Sequence, residues 1–134
     1  MTLYGMDQNR RPILQCRELF VYQNAFKAAM QIHRLTENFP AHEKYSLVDQ
    51  IRRSSRSVCA NLAEAWRKRC YRAAFIAKLN DAESEAGETQ VWIEFCEACA
   101  YVDQLVANNL YSDYHRIISQ LMRMKKTADN WVLR

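Results

Sequence analysis

Apolar residues recur at three- and four-residue steps along most of this chain, the period of amphipathic helices. Val21, Ala25, Ala28, Ile32 and Leu35 line one face of a helix expected from about Arg17 to Asn38, with Pro40 as its stop signal. A second helix is expected from residues 43–45 to about Lys68. There Leu47, Val48, Ile51, Ser55, Val58, Cys59, Leu62, Ala65 and Trp66 span an arc of about 120°, which suits a bundle core. A third is expected from about Tyr71 to Ala100, with Phe75, Leu79, Ala82, Ala86, Ile93, Cys96 and Ala100 on one side. The fourth is expected from near Ser112, read as an N-cap with Asp113 in the first turn, to near Trp131. Tyr114, Ile117, Leu121, Met124, Ala128 and Trp131 carry its apolar face. Residues 1–16 lack this period and contain Pro12, so they read as a flexible N-terminal arm, and residues 17–134 as one domain. Four such helices joined by short loops predict an all-α, antiparallel up-down-up-down four-helix bundle.

Composition narrows the field further. At 134 residues with only two glycines and two prolines, the chain has too few turn formers for a sandwich or barrel, and no glycine-rich phosphate loop can be written. No apolar run approaches the roughly 20 residues of a membrane span, so no membrane is expected. Residues 1–15 have no apolar stretch of the kind a secretory leader carries. Five cysteines, an odd number lying within helical segments, fit reduced packing residues and a cytoplasmic location. The formal charge of +4 conceals an uneven distribution. Residues 44–78 hold nine basic and two acidic groups, while residues 79–104 hold seven acidic groups and no basic one. A block of about +7 is therefore followed directly by one of −7.

The second helix also carries a more specific pattern. Asp49-Gln-Ile-Arg-Arg-Ser-Ser, followed by Ser57-Val-Cys-Ala-Asn-Leu-Ala-Glu-Ala-Trp-Arg-Lys-Arg, resembles a bacterial family of four-helix bundle proteins encoded within 23S rRNA intervening sequences. That family is related to the accessory variability protein of diversity-generating retroelements. Phe20-Val-Tyr-Gln-Asn-Ala, Phe39-Pro, Tyr45-Ser-Leu and the stretch from Ala82 to Trp92 fit as well, so the resemblance spans about Arg17 to Trp131. Where many members have glycine after the Asn-x-Ala-Glu run, this chain has Ala65-Trp66. The resemblance implies a non-enzymatic cytoplasmic bundle that assembles as a homopentamer and binds RNA or DNA. Its retroelement relatives also bind a reverse transcriptase.

Read from the residues, the basic block forms a strip. Arg52, Arg53, Arg56 and Arg67 lie within about 100° on one side of the second helix. Lys68, Arg69, Arg72 and Lys78 extend the charge across the turn. Such cations meet phosphates without reading bases. The competing reading is a solvated face partly paired with acids. Aromatic interleaving is sparse, limited to Trp66 and Tyr71.

On the third helix Asp81, Glu85 and Glu88 share one stripe, expected to pair with a basic surface in the same or a neighbouring chain. The stripe then turns apolar with Trp92, Phe95 and Cys99, the composition of an oligomer contact. Cys96 and Cys99 have no second ligand pair for zinc, and His33, His42 and His115 lack the Glu-x-x-His spacing of a di-iron bundle. No nucleophile–histidine arrangement is apparent for Ser54, Ser55 or Ser57, and Asn61 with Glu64 reads as a buried tie between helices. No metal, cofactor or catalytic activity is expected. The leading expectation is nucleic-acid binding; the alternative is a protein-only oligomeric scaffold that recruits a partner through its charged faces.

Overall fold

The computed structural model describes Met6 and residues 11–133. Four helices follow in order: α1 (Phe20–Thr36), α2 (Leu47–Arg67), α3 (Arg72–Ala98) and α4 (Gln104–Lys126). Among the described residues there is no strand, only an isolated bridge between Met6 and Pro12. Each helix packs on the next, and α1 closes on α4. Cross-helix bonds give the directions. Thr36 and His33 meet Arg52 and Arg56, Glu64 and Glu88 meet Lys78 and Arg53, and Gln90 and Glu83 meet Tyr111 and Lys125. Each pairing runs antiparallel, which makes an up-down-up-down bundle.

The core follows the apolar stripes. Ala25, Val58, Phe75, Leu79, Ala82, Ala86, Tyr114, Ile117 and Leu121 are completely buried. Between α2 and α3 the core admits one polar pair, Ser54 Oγ and Thr89 Oγ1, 2.8 Å apart. Thr89 also donates to Glu85 O, so neither hydroxyl loses water without a partner.

Most helix ends fall within four residues of the expected ones, α3 for instance stopping at Ala98 before Ala100, and three of them are informative. Before α1, Cys16–Glu18 form a 3-10 turn, and the Glu18 carboxylate accepts from the backbone N–H groups of Leu14 and Gln15 at 2.7 and 2.8 Å. Ile13 and Cys16 of the arm pack against the core; residues 1–5 and 7–10 of the arm lie outside the described residues. Helix α4 starts eight residues before Ser112. Asp103 is its N-cap, accepting from Val106 N at 2.9 Å, and Ala107 and Leu110 extend its buried stripe. The exposed pair Asn108–Asn109 interrupts that stripe in sequence without breaking the helix. At its far end α4 gives way to a 3-10 turn, Ala128–Asn130, which seats Trp131 edge-on against Trp66 at 6.1 Å.

The turn from α3 to α4 is a Schellman cap. Tyr101 N donates to Cys96 O and Ala100 N to Glu97 O, both at 2.9 Å. Its left-handed position, usually glycine, is Ala100 at φ 60°.

Candidate nucleic-acid interface

The antiparallel packing of α2 on α3 folds the basic block against the acidic block. Arg53 bridges Glu85 at 3.2 Å and also Glu88. Lys78 bridges Glu64 at 2.7 Å and Asp81 at 3.6 Å. The hydrogen bond to Glu85 raises the Arg53 pKa, and that to Glu64 raises the Lys78 pKa. The hydrogen bond from Lys78 in turn holds the Glu64 carboxyl below its ordinary range. The acidic stripe of α3 thus pairs inside its own chain, one of the two pairings left open by the sequence.

Other residues of the strip are engaged as well. Arg52 donates Nε to Thr36 Oγ1 at 2.8 Å and Nη2 to His33 O at 3.2 Å, which satisfies acceptors at the C-terminal end of α1. Arg69 lies over the Trp66 ring at 3.5 Å and donates to Trp66 O. Arg72 pairs with Asp129 at 2.7 Å. Asn61 and Glu64 do not form the expected buried tie. Asn61 bonds back to Ser57 O in its own helix, and the exposed Glu64 reaches α3 through Lys78.

Five cations of the strip form no ion pair with a carboxylate among the described residues: Arg52 and Arg69, held as above, and the exposed Arg56, Arg67 and Lys68, the last of which helps by its charge to hold the Glu64 carboxyl below its ordinary range. Arg56 meets the ring of His33, at 3.3 Å to Nδ1, whose Nε2 faces Glu37 at 3.2 Å. Two exposed cations of α1, Lys27 and Arg34, are likewise without a carboxylate. Sequence reasoning missed both, although Gln23, Lys27, Met30 and Arg34 recur at helical spacing on the outer face of α1. It also missed Phe26, which is half exposed and stacks on Tyr22 at 6.2 Å with 24° between the rings.

On α3, Trp92 and Phe95 lie 5.8 Å apart. Trp92 leans on the core with its buried Nε1 unpaired, whereas Phe95 is 52% exposed and Cys99 is exposed. Cys96 and Cys99 sit in different surroundings. Cys96 is buried, and desolvation pushes its thiol up to about 12. No group of three or more His, Cys, Asp or Glu that could hold a metal occurs among the described residues. No helix among them is long and apolar enough to cross a membrane.

Set beside known proteins, residues 17–123 match the profile of the 23S rRNA-intervening sequence protein family. The chain is similar to the crystal structure of a protein of unknown function from the S23 ribosomal protein family of Bacteroides thetaiotaomicron. The two are 31% identical with a TM-score of 0.71, over 79% of this chain and 95% of that one. No curated protein matches the chain.

Proposed function

Since this chain belongs to the 23S rRNA-intervening sequence protein family, we propose that it is a non-enzymatic bundle that binds the phosphate backbone of nucleic acid and works as a homo-oligomer. The observation that carries this reading is the imbalance left after the internal ion pairs are assigned. The carboxylates Asp81, Glu85 and Glu88 of α3 are engaged by Lys78 and Arg53, while Arg56, Arg67, Lys27 and Arg34 form no ion pair with a carboxylate among the described residues. Guanidinium forks match phosphate geometry, and each phosphate they neutralise releases condensed counterions. Repetition of this face around an oligomer would multiply its field, and the exposed Phe95 supplies apolar area for such an assembly.

The test is a binding titration over RNA, single-stranded DNA and duplex DNA at several salt concentrations. Affinity should fall steeply with salt. Replacing Arg56 and Arg67 together with alanine should flatten the log–log slope by about 1 to 2, near one unit for each lost phosphate contact. Failure to bind any of the three at low salt would remove the reading in favour of a protein-only scaffold.

A further inference from the structure

The outer edge of α1 that faces α2 carries rings as well as cations. Tyr22, Phe26 and His33 fall within about 40° of one another around α1, and Phe26 and His33 lie about 10 Å apart along its axis. His33 meets Arg56 of α2, so the ring pair and that guanidinium share one edge of the bundle. Tyr22 packs against the core, and Phe26 lies nearly parallel to it on the solvent side. The Phe26 ring is thereby flanked by Tyr22 while its side chain remains 52% exposed. Across the seam α2 presents the small side chains of Cys59, Ala60 and Ala63 near this level. An exposed flat ring beside cations that lack carboxylates is the arrangement by which proteins hold unpaired bases: the base stacks and the adjacent phosphate meets the cation.

We infer that this edge takes nucleic acid as single strands, with an unpaired base stacked on Phe26 and a neighbouring phosphate at Arg56. The inference rests on the phosphate-binding reading above and names the strand state that reading leaves open. In a duplex the bases already stack on one another and present only edges and phosphates, so Phe26 would have no face to receive.

The test measures fluorescence anisotropy of labelled single-stranded RNA, single-stranded DNA and duplex RNA carrying equal numbers of phosphates, with the full chain and its F26A, F26Y and R56A variants. The wild-type chain should bind at least one single strand more tightly than the duplex. Phe26→Ala should weaken that binding about tenfold and leave duplex binding within about twofold, while Phe26→Tyr restores it. Arg56→Ala should weaken single-strand and duplex binding alike, because both present phosphates. The RNA and DNA arms identify which strand chemistry is preferred. Equal affinity for strand and duplex, or a Phe26→Ala variant that weakens neither or both equally, overturns the inference and leaves the phosphate-binding reading standing. Absence of binding to every probe overturns both. Because Phe26 is on the surface, an unchanged melting temperature in F26A separates lost stacking from lost folding.

Discussion

Arg52 Nε lies 2.8 Å from Thr36 Oγ1, across the seam between α1 and α2. Thr36 is buried and its hydroxyl donates to Ile32 O at 2.8 Å, so the guanidinium completes a chain that ends on the last turn of α1. Arg52 and Arg56 are one helical turn apart with the same chemistry, yet they have different jobs. Arg52→Ala should destabilise the fold by about 2 kcal/mol, because it strips a charged donor from a buried hydroxyl. Arg56→Ala should change stability by less than about 0.5 kcal/mol, as expected for a surface substitution. Urea denaturation of the two variants checks this. Equal midpoints would show that the Thr36 contact contributes nothing.

That contrast marks where the sequence stops being legible. Periodicity identifies which face of α2 is buried, since burial depends on spacing within one helix. It cannot separate Arg52 from Arg56, because the partner that distinguishes them is the end of another helix. The same reason hides the contact of Arg56 with His33 of α1 and the internal pairing of Arg53 with Glu85 and Glu88. The start of α4 was obscured differently. Asn108 and Asn109 look like a loop, and only the packing of Ala107 and Leu110 shows that the helix passes through them.

Ala100 occupies the left-handed position of the cap between α3 and α4, at φ 60°. Its Cβ crowds the neighbouring carbonyl there, a cost glycine avoids. Ala100→Gly should therefore stabilise the bundle by about 0.5–1 kcal/mol, after the extra freedom glycine gains in the unfolded chain is subtracted. The opposite sign in thermal or chemical denaturation would mean that unfolded-state entropy outweighs the relieved strain.

The five cysteines should divide in reactivity. Burial pushes the thiols of Cys16 and Cys59 up to about 11 and that of Cys96 to about 12, so they stay protonated at pH 8. Cys70 and Cys99 are exposed. A thiol reagent should label Cys70 and Cys99 quickly in the folded protein and the other three on the order of a hundredfold more slowly, with all five reacting in denaturant. Rapid labelling of Cys59 or Cys96 would contradict their packing, Cys96 in the core and Cys59 against it.

Glu64 gives the acid limb of stability a defined sign. Lys78 holds its carboxyl below the ordinary range in the folded state. The contribution is therefore present above the unfolded carboxylate pKa, near 4.3, and is lost as pH falls through the lower folded value. The stability difference between wild type and Glu64→Gln should be constant from about pH 6 to 8 and shrink below about pH 4.5. Lys78 is raised, so its own contribution is present throughout this range and fades only at strongly alkaline pH. A difference that grows on acidification would reverse the assignment.

The assembly proposed above places the apolar end of the α3 stripe in a contact between copies, and the structure decides which residue tests it. Trp92 is the larger ring, but it packs on the core. Trp92→Ala would open a cavity and cost roughly 3 kcal/mol of folding stability, confounding any loss of assembly. Phe95, one helical turn further on and 52% exposed, contributes little to the bundle interior. Its ring against Trp92 gives a neighbouring copy an apolar patch bordered by Glu88 and Cys99. The carboxylates of the stripe are already paired with Arg53 and Lys78, so they offer a neighbour little attraction and the ring must supply most of the affinity. Phe95→Ser should therefore leave the melting temperature nearly unchanged while shifting the mass in light scattering from an oligomer to the 15.8 kDa monomer. A wild-type chain that stays monomeric at tens of micromolar, or an oligomer indifferent to Phe95→Ser, would exclude this patch as the contact.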